Sequence, residues 1–217
     1  MKKAFVLFLG VALLCFMAVD ANAAKNSNGK IALHDAGAHN TKVNTCGYIL
    51  DACGTIDVAS EAAPGARDDI YVLAVDVVGI AGVRFGICCD GPFFFYGFTD
   101  CSDFAVPSAG WPACGEGISS TWSGEQAGPF VTIGILDTYV YGSSQCLSIC
   151  ADPRVGYIEF CDGSEPLPQC VATYPDNPHW TEYLGRVGFN GSGCGYNPCS
   201  ASPVEQKSWG AVKSLYR

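Results

Sequence analysis

The segment Asp68–Asp90, DDIYVLAVDVVGIAGVRFGICCD, decides the fold class. From Ile70 to Val78 it is apolar on both parities and rich in β-branched residues, the pattern of a central strand covered on two sides. Further on it alternates. Val83, Phe85, Ile87 and Cys89 fall on one parity and Arg84, Gly86 and Cys88 on the other, as a strand with one buried face requires. Between the halves, Gly79-Ile80-Ala81-Gly82 supplies glycines where a tight turn needs positive φ. The expectation is a β-hairpin at the centre of the fold.

Outward from this hairpin the same period recurs. Lys30–His34 and Ile56–Val58 read as short strands. In Phe130–Asp137, Val131, Ile133 and Ile135 share one parity and Thr132 and Gly134 the other. Cys146–Cys150, Tyr157–Cys161 and Leu184–Phe189 follow. Gly91–Pro129 reads as the least regular part, and Asp162–Trp180, broken by Pro166, Pro168, Pro175 and Pro178, reads as loop. No helical period appears in the body of the chain. Roughly seven short strands with turn-rich links predict an all-β, disulfide-rich two-sheet sandwich, immunoglobulin-like or cohesin-like, with a barrel as the alternative.

The ends differ in kind. Lys2 and Lys3, an apolar run from Ala4 to Val19, and Ala21-Asn22-Ala23 have the order of a signal peptide, with cleavage expected after Ala23. Residues 24–29 read as a flexible leader, 30–203 as a single sandwich domain and 204–217 as a C-terminal tail. In that tail Trp209, Val212 and Tyr216 stand at helical spacing beside the basic Lys213 and Arg217; it reads as a segment docked on the sandwich or as a sorting address. Removing residues 1–23 from 217 leaves 194 residues, and removing Lys2, Lys3 and Asp20 leaves 10 basic against 20 acidic residues, a net −10. Such a chain has no electrostatic reason to seek nucleic acid or an anionic membrane. No later stretch is long and apolar enough to span a bilayer, because Arg84 interrupts the best candidate. An exported protein is expected, extracellular, periplasmic or at the cell surface.

Loss of Cys15 with the signal leaves 12 cysteines of 13, an even number that favours disulfides in an exported chain. They fall as Cys46 and Cys53, Cys88 and Cys89, Cys101 and Cys114, Cys146 and Cys150, Cys161 and Cys170, Cys194 and Cys199. Neighbours on a strand point to opposite faces, so Cys88 and Cys89 should each find a partner elsewhere. At least one other couple must then be split, so some bridges are long-range. Local clips are still expected for Cys46 with Cys53 and for Cys194 with Cys199. No C-x-x-C occurs, and no metal site or cofactor is expected.

Two resemblances arise. The run Gly79–Ile87, the later Phe104-Ala105-Val106-Pro107-Ser108-Ala109-Gly110-Trp111-Pro112 and the Trp209-Gly210 tail are similar to uncharacterised exported bacterial proteins that end in a short Trp-Gly-x-x-Lys segment. The Asp68–Asp90 segment resembles the opening strands of cohesin-like β-sandwich modules. Both imply an exported sandwich. Neither supplies an activity.

The residues themselves favour binding or assembly over catalysis. There is no G-x-S-x-G elbow, P-loop, dinucleotide fingerprint or H-E-x-x-H. His34 and His39 read as solvated loop histidines and His179 as a packed one. Asp68, Asp69 and Asp76 read as a solvated turn rather than a calcium site. Glu116, Glu125 and Asp137 flank the aromatic-rich region, so a hydrolytic carboxylate pair is the catalytic alternative. The best functional lead is aromatic: Phe93, Phe94, Phe95 and Tyr96 with Trp111 and Trp122. These rings either close one end of the sandwich or present a surface to a protein or glycan partner, as a carbohydrate-binding module or glycoside hydrolase would.

Overall fold

The computed structural model describes residues 25–199, apart from 49, 51, 61–64 and 141–143, and no side chain is described at 140. The predicted signal peptide and the 204–217 tail lie outside the described residues.

The described residues form two open β-sheets packed face to face. One has four strands in the order β1-β3-β8-β5: β1 Lys30–Ala38, β3 Arg67–Val75, β8 Phe130–Val140 and β5 Phe93–Asp100. The other is built around β4, Ile80–Asp90. On one flank β4 pairs with β7 (Gly117–Gln126), which carries β6 (Phe104–Pro107) at the edge. On the other flank it pairs with β9 (Gln145–Cys150) along Gly86–Asp90 and with β10 (Ile158–Cys161) along Gly82–Arg84. Strands β9 and β10 thus run along β4 as one line, interrupted by the excursion 151–157. Beyond them lie β12 (Arg186–Phe189), β11 (Cys170–Thr173) and the short β2 (Ala59–Ser60). Neither sheet closes on itself, so the architecture is the sandwich and not the barrel.

The two halves of the Asp68–Asp90 segment do not pair with each other. Strand β3 takes both its partners, β1 and β8, in one sheet, whereas β4 belongs to the other. The link 76–79 is an arch between sheets and not a hairpin turn. Asp76 (φ 57°) and Gly79 (φ 78°) supply its left-handed steps. Asn26, only 2 % exposed, holds the arch: its Oδ1 accepts from the Val78 N–H at 2.8 Å and its Nδ2 donates to the Gly79 carbonyl at 3.4 Å. Residues 25–29, within the stretch read as a flexible leader, therefore carry a buried anchor at Asn26.

The arch explains the composition of β3. Ile70, Val72 and Ala74 face Val83, Phe85 and Ile87 of β4 in the inter-sheet core. Tyr71, Leu73 and Val75 point outward, yet they too are buried, because Leu50 and Ile56 of the 39–58 excursion cover them in a second core. A fully buried side chain of this size contributes about 1.5–3 kcal/mol, so apolar residues on both faces are what the position demands.

Six disulfides join the twelve cysteines: Cys46–Cys101, Cys53–Cys199, Cys88–Cys150, Cys89–Cys114, Cys146–Cys194 and Cys161–Cys170. The adjacent Cys88 and Cys89 do part to separate partners. The local clips expected for Cys46 with Cys53 and for Cys194 with Cys199 do not form. Cys46 and Cys53 instead tie the excursion over β3 to the end of β5 and to the chain near its last described residue.

Other expectations need correction. Gly91–Pro129 holds three strands, β5, β6 and β7, and the loop 162–180 holds β11. In β8 the parity breaks: a bulge opposite Val72 and Leu73 leaves Val131 and Ile133 in the inter-sheet core and turns Ile135 to the outer one.

Candidate binding surfaces

The aromatic run divides between two faces. In β5, Phe93 and Phe95 pack on the inter-sheet core while Phe94 (47 % exposed) and Tyr96 (53 %) face solvent. A bulge between Phe95 and Gly97 then shifts the register, so Phe98 returns to the core despite its even number. Neither alternative for the four rings holds entire: two close the core and two are exposed. Trp111 packs edge-on against Phe85 (5.8 Å between ring centroids) and Phe98 (5.2 Å). Trp122 also lies against the core, its Nε1 donating to the Cys101 carbonyl at 3.2 Å. Trp111 is thus spent mainly on packing, whereas Trp122 both packs on the core and lines the hollow beside Gly82 and Glu125.

Phe94 and Tyr96 meet edge to face at 5.0 Å, and Tyr96 meets Tyr139 of β8 at 6.2 Å. The Arg67 guanidinium lies 4.2 Å above the Tyr96 ring and binds Asp137 through Nε (3.0 Å) and Nη2. Next to it, His39 Nδ1 is 2.7 Å from Asp69 Oδ1 and 3.5 Å from Asp137 Oδ2. Asp69 Oδ2 accepts from the Asn40 N–H (2.9 Å) and the Asn44 amide (2.7 Å). The donor atoms of His39, Asp69 and Asp137 lie within 4.8 Å of one another, close enough to share an ion. The Arg67 guanidinium and the Asn40 and Asn44 amides already donate to these oxygens, so the arrangement is that of a hydrogen-bonded network. Its product is a rigid platform of Phe94, Tyr96, Tyr139 and Arg67 at the edge of the four-stranded sheet.

A second surface lies on the outer face of the other sheet. Register places Ser119, Arg84 and Glu159 in one row across β7, β4 and β10, and Thr121, Gly82 and Cys161 in the next. Gly82 offers no side chain, so the second row is hollow. The 162–169 loop rises beside it, and the result is a trough of about 440 Å³. Arg84 is engaged within it: Nε donates to Ser119 Oγ at 2.9 Å, Nη1 is 3.8 Å from Glu159 and Nε 4.0 Å from the buried Asp152. Asp152 also receives Arg154, which reaches the Val106 carbonyl. Burial raises Asp162, but the Gln169 and Ser164 N–H groups outweigh it and hold the carboxyl below its usual range. Lys25, together with the Gly163 N–H, likewise holds Glu125 low.

Several single-residue readings change. His34 is not solvated: it is 5 % exposed on β1, its Nδ1 accepts from the Asp57 N–H at 2.9 Å, and burial lowers its pKa. His39 is half-buried in the network above, whereas His179 is exposed beside Glu182 at 3.0 Å. Asp68 and Asp69 are buried on opposite faces of β3 rather than in a solvated turn; only Asp76 is exposed there, paired with Lys30 at 2.9 Å. The carboxylates once grouped as a hydrolytic alternative do not converge. Glu116 and Glu125 stand at the two ends of β7, on the order of 30 Å apart at the rise of a strand, and Asp137 is on the other sheet. Glu159 and Cys161 lie near Cys170, but those two sulfurs are bonded to each other.

No protein-family model matches the chain, and no curated protein matches it. Among solved structures the chain is similar to a cohesin module of a family 33 glycoside hydrolase from Clostridium perfringens, at 7 % identity and a TM-score of 0.40 over 74 % of this chain and 97 % of that one. A cohesin–dockerin complex from Clostridium thermocellum matches at 12 % identity and a TM-score of 0.42, over 74 % and 93 %. The Reelin-N domain of F-spondin matches at 12 % and 0.29, over 66 % and 85 %. The likeness to cohesin modules is a weak one of fold.

Proposed function

We infer that this chain is an exported β-sandwich binding module that takes a protein partner on the platform of Phe94, Tyr96, Tyr139 and Arg67. The observation that carries this reading is the exposure of Phe94 and Tyr96 beside a guanidinium already held in place by Asp137. Aromatic rings and arginine are the residue types that anchor protein interfaces, and fixing them beforehand lowers the entropy lost on binding. Cys46–Cys101 ties the end of β5, the strand that carries Phe94 and Tyr96, to the excursion over β3, and the six disulfides together suit an oxidising location outside the cytosol.

The test is site-specific photo-crosslinking on the producing cells, with p-benzoylphenylalanine at Tyr96 and, as control, at the exposed Tyr174. Protease-sensitive adducts at position 96, absent at 174 and lost in Phe94→Ser, are the expected result. Adducts equal at both positions would overturn the reading. Retention by an immobilised polysaccharide that is lost in Phe94→Ser would transfer the platform to a glycan.

A further inference from the structure

We propose that the trough on the outer face of β7, β4 and β10 binds a basic side chain, lysine or arginine, of a polypeptide ligand. Three observations converge. The lining carries four carboxylates, Glu125, Glu159, Asp162 and Glu165, against one cation, Arg84. That cation is already committed to Ser119, Glu159 and Asp152, so counting the neighbours Asp152, Arg154 and Lys25 still leaves the carboxylates in excess.

The second observation is the shape and polarity of the walls. Gly82 forms the hollow floor, and the Cys161–Cys170 disulfide with Pro166 and Pro168 forms an apolar side. Glu125 and the exposed Glu165 at the rim, with apolar surface along the side and the buried Asp162 adding charge behind them, suit an alkyl stem that ends in a cationic head. A neutral sugar would leave the excess charge unanswered.

The third observation identifies the head group. The chain's own Lys25 places its ammonium 2.9 Å from Glu125 Oε1 at the rim, where Asp162 also attracts it. Both members of this pair are well exposed, so the contact is weak and exchangeable. Lys25 acts as an intramolecular stand-in that an incoming lysine or arginine displaces. A second consequence distinguishes this from a merely structural ion pair: removing Lys25 should strengthen binding of the basic ligand.

The probes are acetyl-Gly-Arg-Gly-amide and acetyl-Gly-Lys-Gly-amide, with the neutral citrulline tripeptide as control, titrated into the folded, disulfide-intact protein and followed by amide NMR at Gly82, Thr121 and Gly163. Expected are saturable shifts for both basic peptides, weakened by salt, tightened about threefold or more by Lys25→Ala and weakened about fivefold by Glu165→Gln. Glu159→Gln serves as a second variant if one of these perturbs the fold. Equal shifts from the citrulline peptide, no saturation up to roughly 10 mM, or shifts produced instead by a neutral oligosaccharide would overturn the proposal. The trough and the aromatic platform lie on opposite sheets, so amides at Phe94 and Tyr96 should stay still, and failure here leaves the crosslinking test untouched.

Discussion

The Arg67 guanidinium on β3 lies 4.2 Å over the ring of Tyr96 on β5, reaching across β8, whose Asp137 it also binds. One side chain therefore couples three strands at an exposed corner. Removing the ring by Tyr96→Ala forfeits an exposed cation–π contact and should cost about 0.5–1 kcal/mol. Arg67→Ala should cost more, because it also removes the paired contact to Asp137 and leaves the Asp69 and Asp137 carboxylates side by side. Arg67→Lys should recover less than half of this, since an ammonium cannot make the paired contact through Nε and Nη2. Urea unfolding of the three variants in low and high salt measures the order; Tyr96→Ala proving the most harmful would refute the assignment.

The sheet-forming character of the chain was legible because β-branched and alternating runs need no partner to be recognised. Both faces of β3 read as covered, and both are. What could not be read was which sheet a strand joins. Gly79 signals a turn equally well for a hairpin and for an arch, and the deciding contact comes from Asn26, more than fifty residues away. Two bulges hid the rest. At Tyr96 and Gly97, and again in β8 before Ile135, one extra residue reverses the parity, so a strict period of two fails at each bulge. Strand β7 was missed because Ser120 stands at an inward position where an apolar residue is expected; it is fully buried, with its Oγ 3.5 Å from Asp100. The aromatic platform was half legible, since the run named Phe94 and Tyr96 but nothing in it named Arg67 or Tyr139. The trough depends on register across three strands and left no local signal.

The β8 bulge is matched by a close contact: a Cβ placed on Gly134 would collide with the Phe98 ring and lie 2.7 Å from the Thr99 carbonyl oxygen. Gly134→Ala should therefore destabilise by roughly 1–3 kcal/mol through overpacking. Shortening the ring in Phe98→Leu should relieve part of that cost, giving a coupling of about 0.5 kcal/mol or more in a double-mutant cycle. Strict additivity would show that the ring does not rest on the glycine.

The disulfides should differ in worth. Cys88–Cys150 closes 62 residues and joins β4 to β9, whereas Cys161–Cys170 closes 9 and joins two strands already adjacent through their loop. On chain entropy alone these closures are worth about 4 and about 2.5 kcal/mol. The other cross-links narrow the gap, so replacing both cysteines of the longer bridge by alanine should cost about 1 kcal/mol more than replacing those of the shorter one. Guanidinium unfolding of the two double variants decides it, and an equal or reversed order would show that native packing outweighs loop length here.

Asp35 and Asp68 give the chain a pH dependence opposite to that of a salt-bridged carboxylate. Burial first, and then the Asp68 carboxylate beside it, pushes Asp35 up to about 7. Asp68 is 1 % exposed; Ser60 donates to its Oδ2, while among the described residues Oδ1 has no N–H or hydroxyl donor. A protonated Asp35 would supply that donor, the two carboxyls then sharing one proton between β1 and β3. Asp57 and Asp69 add further negative charge beside the pair. Because the folded pKa lies above the unfolded value of about 3.9, the folded state binds more protons, and stability falls as pH rises from about 4 towards 7. Asparagine at position 35 is neutral at every pH and keeps a donor facing Asp68. Asp35→Asn should therefore match the wild type near pH 4 and exceed it at pH 8 by on the order of 2 kcal/mol, or roughly 5 °C in Tm. Thermal unfolding of both proteins across this range would show diverging curves; parallel curves would mean that Asp35 is already ionised in the folded protein.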